Sequence, residues 1–426
     1  MAARTEALPY GVGRPGKAWA AGVLVALALL GMGVVAYVQQ LLHGHAVTGL
    51  RDWGVMRGAP WGLYVAFVVY FVGVSFAGIT TAALIRLANV RTLRPISRMA
   101  ELLTVTSLVA GALAILADVG QPLRAVVNLL RYARPQSPFF GTFTLVISGY
   151  LFASLVYLYL DARADAARCA RVPGPLQPLH RLLAAGYRGT PEERERHART
   201  TFWLAIAILP LLVTAHSTLG FVFGLQVGRP GWFSALQAPA FVVLAGVSGL
   251  GLLIAIAAAA RRALREERRL GPEVFRLLGN LLLVLTLAYL YFVVVEVLTG
   301  IYAAPEREAA LTRSMLLGRW AWLFWPSVGA LGVAAAILGW CFLRGVDAVW
   351  PRVVAGVLVN LAAIGKRVLI VVPSLVSGAL LPYGEGSYRP TWVEYAIVLG
   401  LFGLGTLIYL VAAKVLPIVE LPEEVE

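Results

Sequence analysis

Ionisable side chains that interrupt the apolar stretches of this 426-residue chain are the residues from which chemistry is most expected. Asp118, His216, Glu296, Lys366 and Arg367 lie in or at the end of runs of mostly apolar residues. Placing an ionisable group inside a membrane costs about 2.5–3.5 kcal/mol on insertion scales. A residue of this kind in a membrane span is therefore expected to have a functional role. Carboxylates and imidazoles there can transfer protons to a group within hydrogen-bond reach. The alternative is that these groups only pair with one another between packed helices.

A second polar set lies nearer the other end of one such run. Glu101, Thr104 and Ser107 are three residues apart, so a helix places them on one face. This pattern is typical of the start of a proton path from the cytoplasm. Small polar residues that pack between membrane helices explain the same pattern, and both interpretations stay open.

The elements that must position these residues are membrane-spanning helices. The chain is 59% hydrophobic and 14% charged, with a mean hydropathy of +0.79, whereas soluble domains are about half apolar and about a quarter charged. Because about 20 apolar residues cross a bilayer as a helix, we predict an all-α polytopic membrane protein of about ten spans. The predicted spans are 18–42, 60–88, 99–117, 138–160, 201–223, 239–260, 273–299, 318–343, 353–376 and 391–415.

Lysine and arginine predict the orientation of these spans. With the N-terminus inside, 24 of the 36 basic residues fall in cytoplasmic segments and 10 in outer ones. Excess positive charge marks the cytoplasmic side, so both termini are expected there, in a bacterial inner membrane. The net charge is +14, and the basic residues cluster in loops. Aromatic residues do not interleave with them there, which argues against nucleic acid as a partner. The first span is expected to be retained and not cleaved as a signal peptide.

A weak internal repeat suggests how the spans are grouped. Arg98 precedes Asp118 by twenty residues, and Arg276 precedes Glu296 by the same number. We therefore predict two four-helix bundles with two flanking helices. The predicted segments are a tail, first flanking helix and outer loop (1–59), spans two to four (60–160), a basic cytoplasmic loop (161–200), span five (201–223), spans six to nine (224–376), and the last flanking helix with its tail (377–426).

Cysteines and histidines limit which cofactors this chain can bind by itself. Cys169 and Cys341 form no CxxC motif, so no iron–sulfur cluster or zinc site is expected. A membrane cytochrome b needs facing pairs of histidines, and His216 is the only one of the five well inside a span. We therefore expect no haem.

Several ordered motifs resemble one family. They are Arg98-Met-Ala-Glu-Leu-Leu-Thr, Asp118-Val-Gly-Gln-Pro, Ala215-His-Ser-Thr, Pro230-Gly-Trp, the stretch from Tyr291 to Tyr302, the stretch from Asn360 to Ser374, and Tyr388-Arg-Pro-Thr-Trp-Val-Glu. From Gly58 onward the chain is similar to the NrfD/PsrC-type (polysulfide reductase-like) membrane subunits, in particular the two large membrane subunits of alternative complex III. It departs from them at Phe76, where alternative complex III subunits often have histidine, and at Gln121, where arginine is usual.

The resemblance implies a menaquinol or other quinone site near the outer face of the first bundle. On this reading Asp118 exchanges the quinone proton, and Tyr64, His216 and Arg124 line or anchor the site. Glu296, Lys366 and Arg367 would then form a second polar path in the other bundle, beside the one that begins at Glu101. Electrons would pass to or from an iron–sulfur partner docked at the outer face.

The resemblance also implies the kind of complex in which the chain works. It would be part of a respiratory or photosynthetic quinol oxidoreductase but would not itself act on the terminal substrate. The residues leave open whether that complex is coupled to proton translocation. Expected partners are a ferredoxin-like iron–sulfur subunit, a molybdopterin-type or multihaem cytochrome subunit, and a second related membrane subunit. The alternatives are a secondary transporter, which also uses repeated bundles and charges near the membrane midplane, and a structural anchor without a quinone site.

Overall fold

The computed structural model describes residues 8–51, 58–132, 134, 136–137, 143–302, 305–377 and 385–421. These residues form fourteen α-helices and no β-strand, and ten of the helical stretches are long and apolar enough to span a membrane. The predicted fold class is therefore confirmed. The first residues of the predicted fourth span, 138–142, lie outside the described residues.

The helices follow the predicted spans closely. In chain order they are α1 (Lys17–His43), α2 (Leu63–Val74), α3 (Phe76–Arg86), α4 (Ser97–Val119), α5 (Pro122–Tyr132), α6 (Phe143–Cys169), α7 (Gln177–Ala184), α8 (Pro191–Gly224), α9 (Gln237–Leu264), α10 (Pro272–Tyr302), α11 (Glu306–Leu316), α12 (Ala321–Leu343), α13 (Val349–Val376) and α14 (Trp392–Val415). Short 3₁₀ turns occupy Pro9–Gly11, Gly44–Val47 and Arg91–Ile96.

The ends of the spans form two opposite faces of the protein. We name them the α5 face and the α7 face, after the short helix that lies at each. The α5 face contains the end of α4, the start of α14 and the turn after α1. The α7 face contains the start of α4, the ends of α3 and α6, and the segment after α14. A salt bridge between Arg98 at the start of α4 and Asp165 near the end of α6 shows that these antiparallel helices share the α7 face.

Helix α1 packs along α14, which joins the first and last spans of the chain. The two backbones meet at Gly33 and Gly400, where a Cβ on Gly33 would lie 2.8 Å from the Cα of Gly400. Small residues allow this close approach, which strengthens dispersion contacts in a membrane. Helices α2, α4, α9 and α13 pack together in the interior, and their facing sides carry most of the buried apolar residues.

The second span is broken at Ser75, which separates α2 from α3. A break frees backbone carbonyl groups that lipid cannot satisfy, so protein groups must bond to them. The hydroxyl of Ser75 donates to the carbonyl of Val72 at 2.6 Å, and Tyr150 and Thr104 both donate to the carbonyl of Ser75, at 2.8 and 2.6 Å. The sequence did not predict this break, although Gly73 and Gly78 flank it.

The connection between spans four and five is more helical than its composition suggested. Helix α6 continues to Cys169, α7 fills Gln177–Ala184, and α8 begins at Pro191. A capping box explains the early start of α8, because the Thr190 side chain accepts from the Glu193 amide while the Glu193 carboxylate bonds back to Thr190. Helix α5 is amphipathic and has no buried residue.

Candidate functional site

A hydrogen-bonded chain on the α5 face links three spans around Tyr64. The Tyr64 hydroxyl donates to Oε1 of Gln40 at 2.6 Å, and the Gln40 amide donates to the carbonyl oxygen of Ala117 at 2.6 Å. Tyr64 and Gln40 are both fully buried, at 0% exposure. Helices α1, α2 and α4 are thereby held at one depth, immediately beside Asp118. We call this group, together with the acidic residues described next, the α5-face site.

Asp118 is the carboxylate of this site that has an oxygen free to accept a hydrogen bond. Its Oδ1 is buried and has no hydrogen-bond partner among the described residues. Glu394 is its charged neighbour, and both acids act electrostatically on Tyr64. An orphaned buried oxygen is costly unless a proton or a ligand satisfies it, so this atom fits a group that donates a hydrogen bond.

Glu394, by contrast, is fully satisfied by hydrogen bonds. Its Oε2 accepts from the amides of Gly49 and Thr391, at 2.6 and 3.0 Å, and its Oε1 accepts from the Tyr388 hydroxyl. Burial and the adjacent Glu394 raise the pKa of Tyr388, which keeps its hydroxyl protonated as a donor. Glu394 therefore ties the turn after α1 to the start of α14.

Tyr388 also positions the start of the second span. The amide of Leu63 donates to its hydroxyl at 2.6 Å. A Cβ at Gly62 would lie only 2.3 Å from the Tyr388 ring, so glycine is required there by space. His45 lies near the same residues. Its ring is beside Gly120 and bonds to the backbone of Asp118.

Of the four residues expected to bind a quinone, the structure brings Asp118 and Tyr64 together. His216 lies deeper, where its Nδ1 and Nε2 bond to the carbonyl oxygens of Leu212 and Val72 at 2.7 and 2.9 Å. Its ring packs edge-on against Phe76. Arg124 is exposed on α5, beyond the end of α4.

The predicted polar path on α4 begins in the α7 half of the molecule. Glu101 accepts from the Ser97 hydroxyl at 3.1 Å, while its Oε2 is buried without a partner among the described residues. Thr104 sits against the break in span two, since the Gly78 amide donates to its hydroxyl at 3.0 Å. Ser107 is buried one turn further along α4. Glu101, Thr104 and the break thus form a continuous polar strip inside apolar helices.

A buried charge cluster on the α7 face is a feature that the sequence did not predict. Arg98, only 3% exposed, binds Asp165 at 2.9 Å and Asp161 at 3.6 Å. Arg98 also donates to the carbonyl of Pro417 in the segment after α14, and Arg86 binds Asp161 at 3.2 Å. Because Asp161 and Asp165 follow the apolar run, their position in the sequence predicts a loop, and only the continuation of α6 turns them inward.

The predicted polar path of Glu296, Lys366 and Arg367 divides into one ion pair and one arginine. That arginine has no acidic partner in the described part of the chain. Nζ of Lys366 lies 3.2 Å from Oε2 of Glu296; the lysine side chain is 2% exposed and the glutamate 43%. The Arg367 guanidinium stacks 4.3 Å from the Phe241 ring centre, and its Nη1 has no hydrogen-bond partner among the described residues. The structure thus joins Lys366 to Glu296 and directs Arg367 away from them.

Metal ligands form no cluster in the described residues, where no group of three or more His, Cys, Asp or Glu could hold a metal ion. Cys169 and Cys341 are both buried free thiols.

Comparison with known proteins assigns the chain to a family. The family model described as polysulphide reductase, NrfD, matches residues 54–378, which is most of the chain. This chain belongs to the NrfD family. The matched region contains Tyr64, Asp118, Glu296 and Lys366, whereas Gln40 and Glu394 of the α5-face site lie outside it.

Three curated relatives match this NrfD-family chain over nearly its whole length. It is 29% identical to a putative dimethyl sulfoxide reductase membrane subunit of Halobacterium salinarum, over 95% of this chain and 92% of that protein. It is 26% identical to a selenate reductase subunit of Mesobacillus selenatarsenatis, over 92% and 93%. It is 27% identical to an Hdr-like menaquinol oxidoreductase integral membrane subunit of Archaeoglobus fulgidus, over 93% of each chain. None of these three names mentions alternative complex III, so that branch stays a prediction.

Proposed function

We propose that this NrfD-family chain is the quinone-binding membrane subunit of a multi-subunit oxidoreductase and that its quinone site is the α5-face site. The observation that carries the proposal is the buried, unpartnered Oδ1 of Asp118 beside the Tyr64–Gln40 pair. The name of the Archaeoglobus relative, a menaquinol oxidoreductase membrane subunit, supports the substrate class. The names of the two reductase relatives support a place within a larger complex.

The residues of the α5-face site fit a quinol head group. A bound quinol supplies two electrons and two protons to such a complex. Asp118 takes up a proton at Oδ1, the atom that has no other partner. Tyr64 donates to Gln40 and so keeps its oxygen lone pairs available as an acceptor. Gln40 is locked by Ala117, so neither group reorganises when a ligand binds.

Protons need a route between the α5-face site and the α7 face. We place the route along Glu101, Thr104 and Ser107, past the break at Ser75 and the nearby His216. Glu101 has a free carboxylate oxygen, and Thr104 lies against the broken helix. Lys366 and Glu296 form the second polar route, between α13 and α10, and Arg367 lies beside it against Phe241.

The partners follow from the same assignment. An iron–sulfur, ferredoxin-like subunit docks on the α5 face and exchanges electrons there, with a molybdopterin-type or multihaem cytochrome subunit beyond it. A second related membrane subunit packs beside the chain. The α5 face is the outer side of a bacterial inner membrane and the α7 face the cytoplasmic side, consistent with the arginines that cluster between 163 and 199.

The secondary-transporter alternative receives less support from the helices. Transporters of that kind pair broken spans in corresponding positions of their two halves. Span two is broken at Ser75, but its counterpart α9 continues from Gln237 to Leu264.

The test uses the complex purified with its native partners. We expect iron–sulfur signals in its electron paramagnetic resonance spectrum. Asp118→Asn should lower quinol turnover by about a hundredfold, the usual contribution of a general base, while the subunits stay assembled. Asp347→Asn is the matched control, because Asp347 is an exposed acid paired with Arg276 on the α7 face, and its turnover should equal wild type.

Unchanged turnover in Asp118→Asn would remove the quinone assignment from the α5-face site. An assembly that contains no redox-active subunit and moves a solute into liposomes would establish the transporter alternative instead.

A further inference from the structure

A ligand-sized cavity lies in the other half of the chain, away from the α5-face site. It has a volume of about 390 Å³ and is lined by α10, α11, the start of α9 and the loop before it, with single residues of α12 and α13. That volume falls in the range of about 300–1,000 Å³ seen for small-molecule sites. None of its lining residues belongs to the α5-face site, so the two would bind separate molecules.

The cavity presents one free donor and one free acceptor. Tyr289 is only 3% exposed and lines the cavity, yet its hydroxyl makes no hydrogen bond to any described residue. Glu296 also lines the cavity; its Oε2 binds Lys366, while its Oε1 has no partner in the described part of the chain. Neither oxygen is fully buried, so both are accessible to a ligand that enters the cavity.

The remaining walls are aromatic and apolar. Phe233, Phe292 and Phe324 line the cavity, and Phe324 also holds the Lys366 ammonium at 5.6 Å from its ring centre. Flat aromatic walls favour a flat head group, since offset stacking adds to the gain from burial. Apolar side chains of α10 and α11, including Val297 and Leu316, continue the lining.

The charges of the cavity select against a phosphate. Its described lining residues include Glu296 and Glu308 but no lysine or arginine. An anionic phospholipid head group would meet two carboxylates there, whereas an uncharged carbonyl or hydroxyl would not. Because Lys366 offsets the charge of Glu296, the polar end of the cavity is close to neutral.

We infer that this cavity is a second quinone site, in which Tyr289 donates to a head-group carbonyl and Glu296 accepts from a head-group hydroxyl. The inference rests on the proposed function for the class of ligand, but it uses different residues. The inference concerns binding only. It does not require that the quinone be oxidised or reduced at the second site.

The experiment is photolabelling of the purified complex with an azido-substituted menaquinone analogue, followed by peptide mapping. In the wild type we expect label on α10 between Tyr289 and Gly300 and separate label on α4 near Asp118. Tyr289→Phe removes one hydrogen bond and should lower the α10 label about tenfold at subsaturating probe. Ala240→Phe places a ring in the cavity and should abolish that label.

Tyr291→Phe is the matched control, because Tyr291 lies on the same helix but is 65% exposed, and it should label like wild type. Absence of α10 label in the wild type, or α10 label that Tyr289→Phe and Ala240→Phe both leave unchanged, would overturn the second site. So would mass spectrometry that finds a phospholipid in its place.

The two proposals fail separately in this experiment. Absence of the α10 label in the wild type, with the α4 label present, would refute only the second site. Retention of the α10 label with unchanged turnover in Asp118→Asn would refute only the α5-face site.

Discussion

Nε2 of His216 lies 2.9 Å from the carbonyl oxygen of Val72, so a side chain of α8 bonds to the last turn of α2 where the second span breaks. The opposite ring nitrogen faces the carbonyl of Leu212 in its own helix. A neutral imidazole carries one N–H, so it donates to one of these two carbonyl oxygens at a time. In the tautomer that donates to Val72, His216 compensates for the interruption at Ser75.

Removing this bridge should destabilise the protein. We expect His216→Ala to lower the free energy of unfolding by about 1–3 kcal/mol, because it leaves buried carbonyl groups with fewer donors. Thermal unfolding in detergent, followed by circular dichroism, measures the change. His43→Ala is the control, since His43 is exposed and bonds only to Gln39 of its own helix. Equal midpoints for the two variants would show that the bridge contributes nothing.

The Lys366–Glu296 pair should respond unequally to the loss of each partner. Glu296→Gln leaves a lysine that is 2% exposed without its counter-ion, while Lys366→Met leaves a glutamate that is 43% exposed. We expect Glu296→Gln to cost more, up to about 3 kcal/mol, because an unpaired buried charge is the costly species. The double variant should recover part of this loss. Unfolding midpoints of the three variants give the ranking, and a more damaging Lys366→Met would contradict it.

The segment after α14 should dock on the α7 face in a pH-dependent way. Burial, and then the nearby Asp161, raise the pKa of Glu420 to about 7, against the opposing effect of Arg98 and Arg86. A carboxyl whose pKa is raised on docking binds its proton more tightly when docked. Docking is therefore strongest below pH 4.5, the ordinary value for glutamate, and weakens as the pH rises through about 7.

Hydrogen exchange of residues 416–421 between pH 5 and 8 measures this docking, after correction for the intrinsic dependence of exchange on pH. We expect protection to fall as the pH rises. Glu420→Gln should keep the segment protected at high pH, since the amide carries no charge near Asp161 and Asp165. The same decline in wild type and Glu420→Gln would assign the titration to another group.

The contact between α1 and α14 should depend on glycine. Gly400→Val places a side chain where a Cβ already lies 2.8 Å from the Cα of Gly33, so the helices must separate. We expect a lower unfolding midpoint and easier proteolytic release of α1. Gly405→Val is the matched control, because its Cβ meets nothing within 4 Å and the gain in helix propensity is the same. Similar midpoints for the two would mean that close approach is unimportant there.

The number and place of the spans could be read directly from the sequence, because about 20 apolar residues in a row have no stable position other than a membrane helix. Asp118 and Lys366 could be singled out for a similar reason, as the cost of an ionisable group in lipid is a property of the residue and its depth. The family motifs from Arg98 and Asn360 onward could also be recognised in the sequence, and the NrfD match agrees with them.

Which polar groups meet could not be read from the sequence, since partners come from spans far apart along the chain. Gln40 and Ala117 are 77 residues apart, and Gly49 and Glu394 are 345 apart. Thr391 and Glu394 form a local capping box at the start of α14, but that local pattern does not predict that Glu394 also holds the turn after α1. Periodicity sets the face on which a residue lies, whereas helix packing decides what that face meets.

The sequence by itself therefore determined the ten spans, their family and the presence of costly polar groups within them. Only the tertiary structure decided that Lys366 pairs with Glu296, that His216 bridges a broken helix, and that Asp118 keeps a free oxygen beside Tyr64. The physical reason is that insertion energies depend on each helix alone, while the satisfaction of a buried donor or acceptor depends on the angle and register at which two helices pack.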